Sequence, residues 1–389
     1  MEAYIVAGYR SAIGKAKKGA FQNFRSDDLA VRVIKGLLER VPQLQPEMVD
    51  DVIVGCANPE GEQGLQIGRN IASRALGKTV AGFTINRYCA SGLEAVALAT
   101  AKIKSGMGDV FIAGGAESMS LIPMVGYKMA PSYEAALENV NYHVSMGATA
   151  EAVAAKYGIT REMSDAFAER SHRNAAKAIA ENKFAGEIIP VEIESVTVEN
   201  GKRVERHQLI LQDEGVRPDT TADGLAKLPA VFKNGGIVTA GNSSQTSDGA
   251  AFLLVMSEQK MNELGLKPIA KLVSCAVGGV DPLYMGIGPC VAIPKALQQA
   301  NLQLSDIDLI ELNEAFAAQA LAVIQEAGLD MEKVNVNGGA IALGHPLGCT
   351  GAKLSISLIN ELKRQGKRYG MVTACVGGGQ GIAGIIEVL

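Results

Sequence analysis

The chain of 389 residues is long enough for two or three packed units with large buried cores. Hydrophobic residues make up 48% and charged residues 20% of it, which argues against a disordered, coiled-coil or fibrous protein. The formal net charge of -4 provides no basic surface for nucleic acid or for an anionic membrane.

We expect no targeting signal at either end of the sequence. Residues 1–15 form a short apolar run without the charged start and long apolar core of a secretion signal. No run of about 18 uncharged apolar residues follows, and residues 385–389 do not form a peroxisomal tripeptide. We therefore expect a cytoplasmic protein without a membrane span.

Runs rich in Val and Ile alternate with helical stretches rich in Ala and Leu, which is typical of an α/β protein with a buried sheet. The pattern occurs twice. A helix cap and strand at Asp51 return at Asp308, 257 positions later, and a helix that begins at Cys89 returns at Cys349, 260 positions later. Each of these helices leads to an apolar strand and a glycine pair. The nearly equal offsets predict a duplicated half.

A segment of different character, residues 119–247, separates the two repeats. It is predicted to be helical over 151–183 and charged and irregular over 187–217. Small hydrogen-bonding residues at 239–249 predict an exposed loop of the kind that binds ligands. We therefore divide the chain into a first half at 1–118, completed by 248–265, an inserted loop domain at 119–247, and a second half at 266–389.

The six cysteines are irregularly spaced and include no C-x-x-C pair, which argues against a zinc site and a disulfide framework. Cys89 stands where a buried strand is predicted to end and a helix to begin. The helix dipole and free backbone N–H groups favour a thiolate there, so Cys89 is a candidate nucleophile. A structural cysteine is the alternative.

The chain has four histidines, of which His143, His172 and His207 lie in polar sequence that we expect to be exposed. His345 instead is flanked by glycines and fixed by Pro346 just before a helix. This setting suits a general base, and an ordinary surface histidine is the alternative.

Two further segments place polar groups at strand ends. Cys375 ends a strand and is followed by four glycines in the five positions 377–381, whose backbone N–H groups can stabilise an oxyanion. Asn313 follows the strand that begins at Leu309, where the alternative role is that of a helix cap.

Four motifs occur in this order: C-A-S-G at Cys89, N-E-A-F at Asn313, G-H-P at His345 and C-x-G at Cys375. Together they resemble the thiolase family, the acyl-CoA acetyltransferases, over the whole chain. The resemblance implies a thiolase fold, in which two duplicated α/β halves form αβαβα layers and carry an inserted loop domain.

The resemblance also implies a role for each motif. Cys89 is expected to be the acylated nucleophile, His345 the base that activates it, and Cys375 the acid and base. Asn313, through a bound water, and His345 would hold the thioester oxygen of the substrate. The N–H groups of Cys89 and Gly377 would hold the second oxyanion.

Coenzyme A is expected to be a substrate, with no metal and no permanently bound cofactor. The positions that match the family's CoA-binding and substrate-binding residues are Met146, Arg217, Phe232, Ala240, Ser244, Ala315 and Phe316.

Two departures separate the chain from the biosynthetic acetoacetyl-CoA branch of the family. Ser145 replaces the histidine before the Met-Gly of the M-G-x-T-A-E motif, and Ser244–Ser247 replaces a Ser-Gly-Leu-Asn loop. Both, with the run at 116–124, resemble the degradative 3-ketoacyl-CoA thiolases of fatty-acid β-oxidation. We expect cleavage of 3-ketoacyl-CoA to acetyl-CoA and a shortened acyl-CoA, with the chain length left open.

Other interpretations remain as alternatives. The first is the biosynthetic enzyme, and a more distant one is a non-catalytic acyl-CoA-binding or lipid-binding relative, which has no reason to keep Cys89, His345 and Cys375 together. A decarboxylating condensing enzyme would pair its cysteine with two histidines, and a dinucleotide site would need a G-x-G-x-x-G motif after a strand. The family resemblance further implies a homodimer, with a tetramer as the minority option. A disulfide between Cys89 and Cys375 under oxidation and partner enzymes of β-oxidation are left open.

Overall fold

The structure is a computed structural model that describes residues 1–199 and 201–389. Its strands, in chain order, are β1 (Ala3–Arg10), β2 (Gly14–Lys15), β3 (Asp51–Gly55), β4 (Ala81–Ile85), β5 (Val110–Ser118), β6 (Val191–Glu199), β7 (Lys202–Ile210), β8 (Ser247–Ser257), β9 (Ala270–Gly279), β10 (Leu309–Leu312), β11 (Tyr369–Val376) and β12 (Gln380–Val388). Its α-helices are α1 (Ser26–Arg40), α2 (Ile67–Leu76), α3 (Ser91–Lys104), α4 (Tyr133–Glu138), α5 (Met146–Tyr157), α6 (Arg161–Ala180), α7 (Ala222–Ala226), α8 (Glu258–Glu263), α9 (Gly288–Ala300), α10 (Ala317–Glu326), α11 (Ala340–Leu343) and α12 (Leu347–Gln365).

The main sheet has the strand order β10-β11-β12-β9-β1-β8-β5-β3-β4, with β2 paired to β8. The pairs β3–β4, β3–β5 and β10–β11 are parallel, and the other pairs of this sheet are antiparallel. Every residue of β5 and β8 is buried, as expected for strands covered on both faces. Their apolar sequences follow from this double burial.

The predicted duplication is confirmed by the order of the elements. In the first half a parallel pair, β3 and β5, leads through antiparallel pairing to β8 and then to β1. In the second half the parallel pair β10 and β11 leads in the same way to β12 and then to β9. A helix, α3 or α12, precedes β5 or β11 in each half. The two halves meet where β1 lies next to β9.

Three hydrophobic cores define the layers of helices and strands in the fold. One core joins α1 and α2 to the outer face of the first half, and another joins α9 and α10 to the outer face of the second half. A third core fills the space between the halves and contains α3 and α12. The resulting αβαβα order is the one that the family resemblance implies. The domain boundaries that we assigned remain a prediction.

The inserted segment is more ordered than its sequence suggested. The predicted helix over 151–183 is two helices, α5 and α6, because Gly158 adopts a left-handed conformation with φ 65° that ends the first. The expectation of an irregular chain over 187–217 is wrong, since β6 and β7 form an antiparallel hairpin there. Valine and isoleucine at intervals of two favour strands even among many charged residues.

A buried ion cluster fastens the insert to the sheet. Arg10, at the end of β1, is fully buried; its Nε lies 2.7 Å from Glu187 Oε1 and its Nη1 2.7 Å from Asp213 Oδ1. Burial alone would disfavour a charged guanidinium, but the two carboxylates raise the pKa of Arg10 above its usual value. Both carboxylates belong to the insert, so this cluster joins residues that are about two hundred positions apart in the sequence.

Three expectations about exposure need correction. β4 is not a buried strand: its residues are exposed or half-buried, because it lies at the edge of the described sheet. The segment 239–249 is largely buried, since Asn242 Nδ2 donates to Asp165 Oδ1 at 2.9 Å and the Thr239 N–H donates to Asn242 Oδ1 at 2.8 Å. His172 is also buried, and its Nδ1 accepts the Arg217 N–H at 3.1 Å.

Within the described residues, the structure has no helix whose length and apolar character would allow it to cross a membrane.

Candidate active site

Cys89 lies in a short 3-10 turn, Tyr88–Ala90, between β4 and α3. Ser91 holds this turn closed, because its Oγ accepts the Arg87 N–H at 2.8 Å and donates to the Tyr88 carbonyl at 2.7 Å. Tyr88 has φ 43°, a left-handed conformation that is strained for a bulky residue. The turn therefore fixes the position of the cysteine at the start of the helix.

The surroundings of the Cys89 thiol differ from the sequence expectation. The residue as a whole is partly exposed, whereas burial around the thiol itself raises its pKa to about 12, although the backbone N–H groups of Gly377 and of Cys89 act to lower it. The expectation that the helix N-terminus would favour a thiolate is wrong for the free protein, because desolvation outweighs the donors. The raised pKa favours a neutral thiol at Cys89 in the free protein.

His345 lies between α11 and α12 and is buried. Its backbone N–H donates to the Gln245 carbonyl at 3.1 Å. The neighbouring Gly344 has φ 92°, which only glycine adopts readily. Burial and the charge of Lys353 lower the pKa of His345 to about 3. The alternative of a surface histidine is therefore wrong, and the imidazole is neutral near pH 7.

Asn313 follows β10 and reaches His345. Its N–H donates to the Thr373 carbonyl at 2.9 Å, and its Nδ2 lies 3.3 Å from His345 Nε2. The helix-cap alternative is wrong, because α10 begins only at Ala317, with Phe316 in the cap position. Asn313 Oδ1 is buried and has no hydrogen-bond partner among the described residues. This oxygen is free to accept a hydrogen bond from a ligand or a water.

Cys375 is buried near the end of β11, and the turn 377–379 connects β11 to β12. Gly378 and Gly379 have φ 79° and 83°, so this turn requires glycine. Burial raises the pKa of the Cys375 thiol, and the charge of a Cys89 thiolate would raise it further. The Gly377 N–H acts on Cys89, which places the motif around Cys375 beside the Cys89 thiol.

Five of the predicted substrate-binding residues lie next to one another. Met146, Ala315 and Phe316 share a small apolar cluster with Cys375. The rings of Phe232 and Phe316 meet edge to face with centroids 6.1 Å apart, and the Ser244 N–H donates to the Ala315 carbonyl at 2.9 Å.

The other two predicted binding residues lie on the surface. Arg217 is exposed and is joined through its backbone N–H to the buried His172. Ala240 is exposed in the segment that leads to Ser244.

The sequence analysis assigned no role to Glu117, a buried acid at the end of β5. Its carboxylate accepts the Ala57 N–H at 2.7 Å, the Gly348 N–H at 2.8 Å and Gln63 Nε2 at 2.8 Å. Burial raises its pKa, and these donors oppose the rise. Glu117 thus joins the loop after β3 to the start of α12, near His345. The available signal was an acidic residue directly after the apolar run of β5.

In the described part of the chain, no three His, Cys, Asp or Glu residues are grouped so that they could hold a metal ion.

Comparisons with known proteins agree with this arrangement. Family models described as the thiolase N-terminal and C-terminal domains match residues 3–259 and 266–388. A Bacillus subtilis protein named 3-ketoacyl-CoA thiolase is 56% identical over 100% of this chain and 99% of its own length. A protein of the same name from Idiomarina loihiensis is 46% identical over 98% of both chains. The crystal structure of the Bacillus anthracis acetyl-CoA acetyltransferase matches with a TM-score of 0.90 and 41% identity, covering 100% of this chain and 99% of that one. The chain therefore belongs to the thiolase family.

Proposed function

We propose that the chain is a degradative 3-ketoacyl-CoA thiolase, an acetyl-CoA C-acyltransferase that cleaves 3-ketoacyl-CoA with CoA in fatty-acid β-oxidation. The observation that carries the proposal is the meeting of the two cysteine motifs, since the backbone N–H of Gly377 acts on the Cys89 thiol. The pairing of His345 with Asn313 supplies the remaining groups that the chemistry needs.

The first half-reaction begins from neutral groups. The Cys89 sulfur attacks the 3-keto carbon while its proton passes to the neutral imidazole of His345. The ketone oxygen becomes an oxyanion, which the N–H groups of Cys89 and Gly377 stabilise. The C2–C3 bond then breaks, leaving acyl-Cys89 and the enolate of acetyl-CoA.

The enolate carries its charge on the thioester oxygen. His345 and Asn313, the latter through a bound water, stabilise that charge, and the Cys375 thiol protonates C2 to release acetyl-CoA. In the second half-reaction the Cys375 thiolate takes the proton of incoming CoA. The CoA sulfur displaces Cys89, which recovers its proton from His345.

The substrate contacts follow the predicted set. Met146, Phe232, Ala315 and Phe316 provide an apolar wall beside Cys375, which suits the pantetheine arm and the acyl chain. Ser244 and Ala240 follow the same wall, and the exposed Arg217 suits a phosphate of CoA. Coenzyme A is a substrate in this proposal, and the steps require neither a metal nor a permanently bound cofactor.

The degradative branch is favoured over the biosynthetic one by two observations. Ser145 and the run Ser244–Ser247 depart from the biosynthetic pattern. The Bacillus subtilis relative named 3-ketoacyl-CoA thiolase is 56% identical, against 41% for the acetyl-CoA acetyltransferase of known structure. A cytoplasmic location belongs to the same proposal.

A homodimer is also part of the proposal. The edge strand β4 is apolar and only half-buried, and Leu65, which precedes the Gln66 whose side chain accepts the Thr84 N–H of β4, is 94% exposed. Pairing of two copies along this edge would cover both features. Partner enzymes of β-oxidation would supply the 3-ketoacyl-CoA.

The test is a thiolysis assay with four-carbon and sixteen-carbon 3-ketoacyl-CoA, which follows the loss of substrate on addition of CoA. The Cys89→Ser variant is the control for the nucleophile. Activity on both lengths that disappears in the variant is expected. Activity confined to four carbons would favour the biosynthetic enzyme, and no turnover of either would favour a binding protein.

A further inference from the structure

Thr350, in the first turn of α12, contacts the side of His345 that faces away from Asn313. Its Oγ1 lies 2.6 Å from His345 Nδ1 and 3.0 Å from the Pro346 carbonyl, four residues back in the helix. Both side chains are buried. On the other side of the ring, Asn313 Nδ2 lies 3.3 Å from Nε2. Each ring nitrogen of the candidate base thus has one side-chain partner.

The number of available protons decides which atom is the donor and which the acceptor in each of these contacts. A hydroxyl has one proton, and a threonine within a helix commonly donates it to the carbonyl four residues earlier. With that proton on the Pro346 carbonyl, Oγ1 can only accept, so Nδ1 must carry the imidazole hydrogen. Nε2 is then bare and accepts from the Asn313 amide. The opposite tautomer would set the Nε2 hydrogen against an N–H of Asn313.

We propose that Thr350 is a positioning residue that holds His345 as the Nδ1–H tautomer, with Nε2 free to receive the proton of Cys89. The inference rests on the proposed function for the role of His345, but the tautomer itself does not depend on it. After the transfer, Nε2 carries hydrogen, gives up its hydrogen bond from the Asn313 amide and becomes a donor to the thioester oxygen. One fixed tautomer therefore serves both as base and, once protonated, as oxyanion donor.

The burial of the ring supports this assignment. The lowered pKa of His345 keeps the ring neutral, so that a single hydrogen is shared between two nitrogens and its position matters. Lys353 contributes to the lowering and donates weakly to the Gly344 carbonyl at 3.4 Å, next to His345. Among the described residues, Thr350 and Asn313 are the side chains that hydrogen-bond to the ring nitrogens, so these two decide the tautomer.

The first experiment is nitrogen-15 NMR of the protein with labelled histidine. The chain has only four histidines, and the His345→Asn variant identifies the signals of His345 by their loss. Nitrogen shifts distinguish a protonated from a bare ring nitrogen. We expect protonated Nδ1 and bare Nε2 in the wild type. A wild-type spectrum with protonated Nε2 and bare Nδ1 would overturn the proposal.

The second experiment compares Thr350→Val, which has nearly the same shape, with Thr350→Ser, which keeps the hydroxyl. In the valine variant we expect Nε2–H to become populated and kcat for thiolysis to fall about 10- to 100-fold with KM little changed. In the serine variant we expect the wild-type tautomer and kcat within about threefold of wild type. Equal kcat and an unchanged tautomer in the valine variant would contradict the proposal.

The two readouts separate failure of this inference from failure of the proposed function. Absence of thiolysis in the wild type would reject the function, while the spectrum would still decide the tautomer. If Thr350→Val does not fold, as circular dichroism would show, the wild-type spectrum and the serine variant still test the tautomer.

Discussion

Cys89 and Cys349 stand at corresponding positions of the two duplicated halves, yet their surroundings differ. Cys89 is partly exposed, beside the N–H of Gly377. Cys349, in the first turn of α12, is fully buried in the core between α3 and α12. Burial raises the pKa of both thiols to about 12. Neither the helix start nor the pKa distinguishes the nucleophile.

Access and neighbouring groups make the difference instead. The turn 377–379 brings an N–H donor to Cys89, and His345 with Asn313 supplies a neutral base. These groups all come from the second half of the chain. In the proposed mechanism the first half thus contributes the nucleophile and the second half the groups that act on it, so that the duplicated halves would form one composite site rather than two.

The largest difference between the two halves is expected when each of the two cysteines is replaced in turn. We expect Cys89→Ala to lower kcat for thiolysis by at least about 10⁴-fold, because no other nucleophile can form the acyl-enzyme. Cys349→Ala should keep kcat within about threefold, since Cys349 only packs. Steady-state assays on both proteins measure this. Similar losses in both would show that the two positions are not functionally distinct.

The next largest effect concerns the group that the second half contributes at Cys375. Cys375→Ser should lower kcat by about 10²- to 10⁴-fold, because an alcohol is a much poorer acid for the enolate carbon. The acyl-enzyme should not accumulate, because an enolate that is not protonated re-forms the C2–C3 bond with acyl-Cys89. Mass spectrometry after mixing with substrate checks this. A burst of acyl-Cys89 equal to that of wild type would contradict the assigned role.

The protonation state of Cys89 can be determined from the pH dependence of its alkylation by the neutral reagent iodoacetamide. Since burial raises the pKa of Cys89 to about 12 and lowers that of His345 to about 3, the thiolate fraction should rise throughout the neutral range. The rate should increase about tenfold per pH unit from pH 7 to 9, without a plateau. The Cys89→Ala protein corrects for other cysteines. A plateau in this range would indicate a resting thiolate–imidazolium pair.

The smallest effects concern how closely the two equivalent helices approach. A Cβ at Gly92 would lie 2.7 Å from the backbone nitrogen of Ala352, and one at Gly351 would meet the backbone of Leu93. Either change to alanine should lower the free energy of unfolding by about 1–3 kcal/mol, because backbone atoms must move. Chemical denaturation measures it. Gly186→Ala is the neutral control, because a Cβ there meets no atom of the described residues within 4 Å.

Much of this architecture was predictable, and the reasons are physical. Periodicity and nearly equal offsets indicated the α/β repeat, because buried strands and helices impose regular patterns on sequence. The motifs at Cys89, Asn313, His345 and Cys375 indicated a shared site through family resemblance.

The expectations that the structure corrected concern features that depend on long-range contacts. The resting thiol of Cys89 is set by desolvation, and the burial of 239–249 by hydrogen bonds to residues such as Asp165, far away in sequence. The β6–β7 hairpin was hidden by its many charges, of which those of β7 lie at exposed positions. Glu117 contacts atoms that only the fold brings together, since it accepts the backbone N–H of Gly348, 231 positions away.

The position of β1 has a consequence for how the protein is made. This strand holds the first residues of the chain, yet it lies in the middle of the sheet between β8 and β9, about 250 positions away. During synthesis it must wait for most of the polypeptide before either neighbour exists, and its apolar side chains stay uncovered meanwhile. Slow translation between β1 and β8 should therefore increase aggregation of the nascent chain.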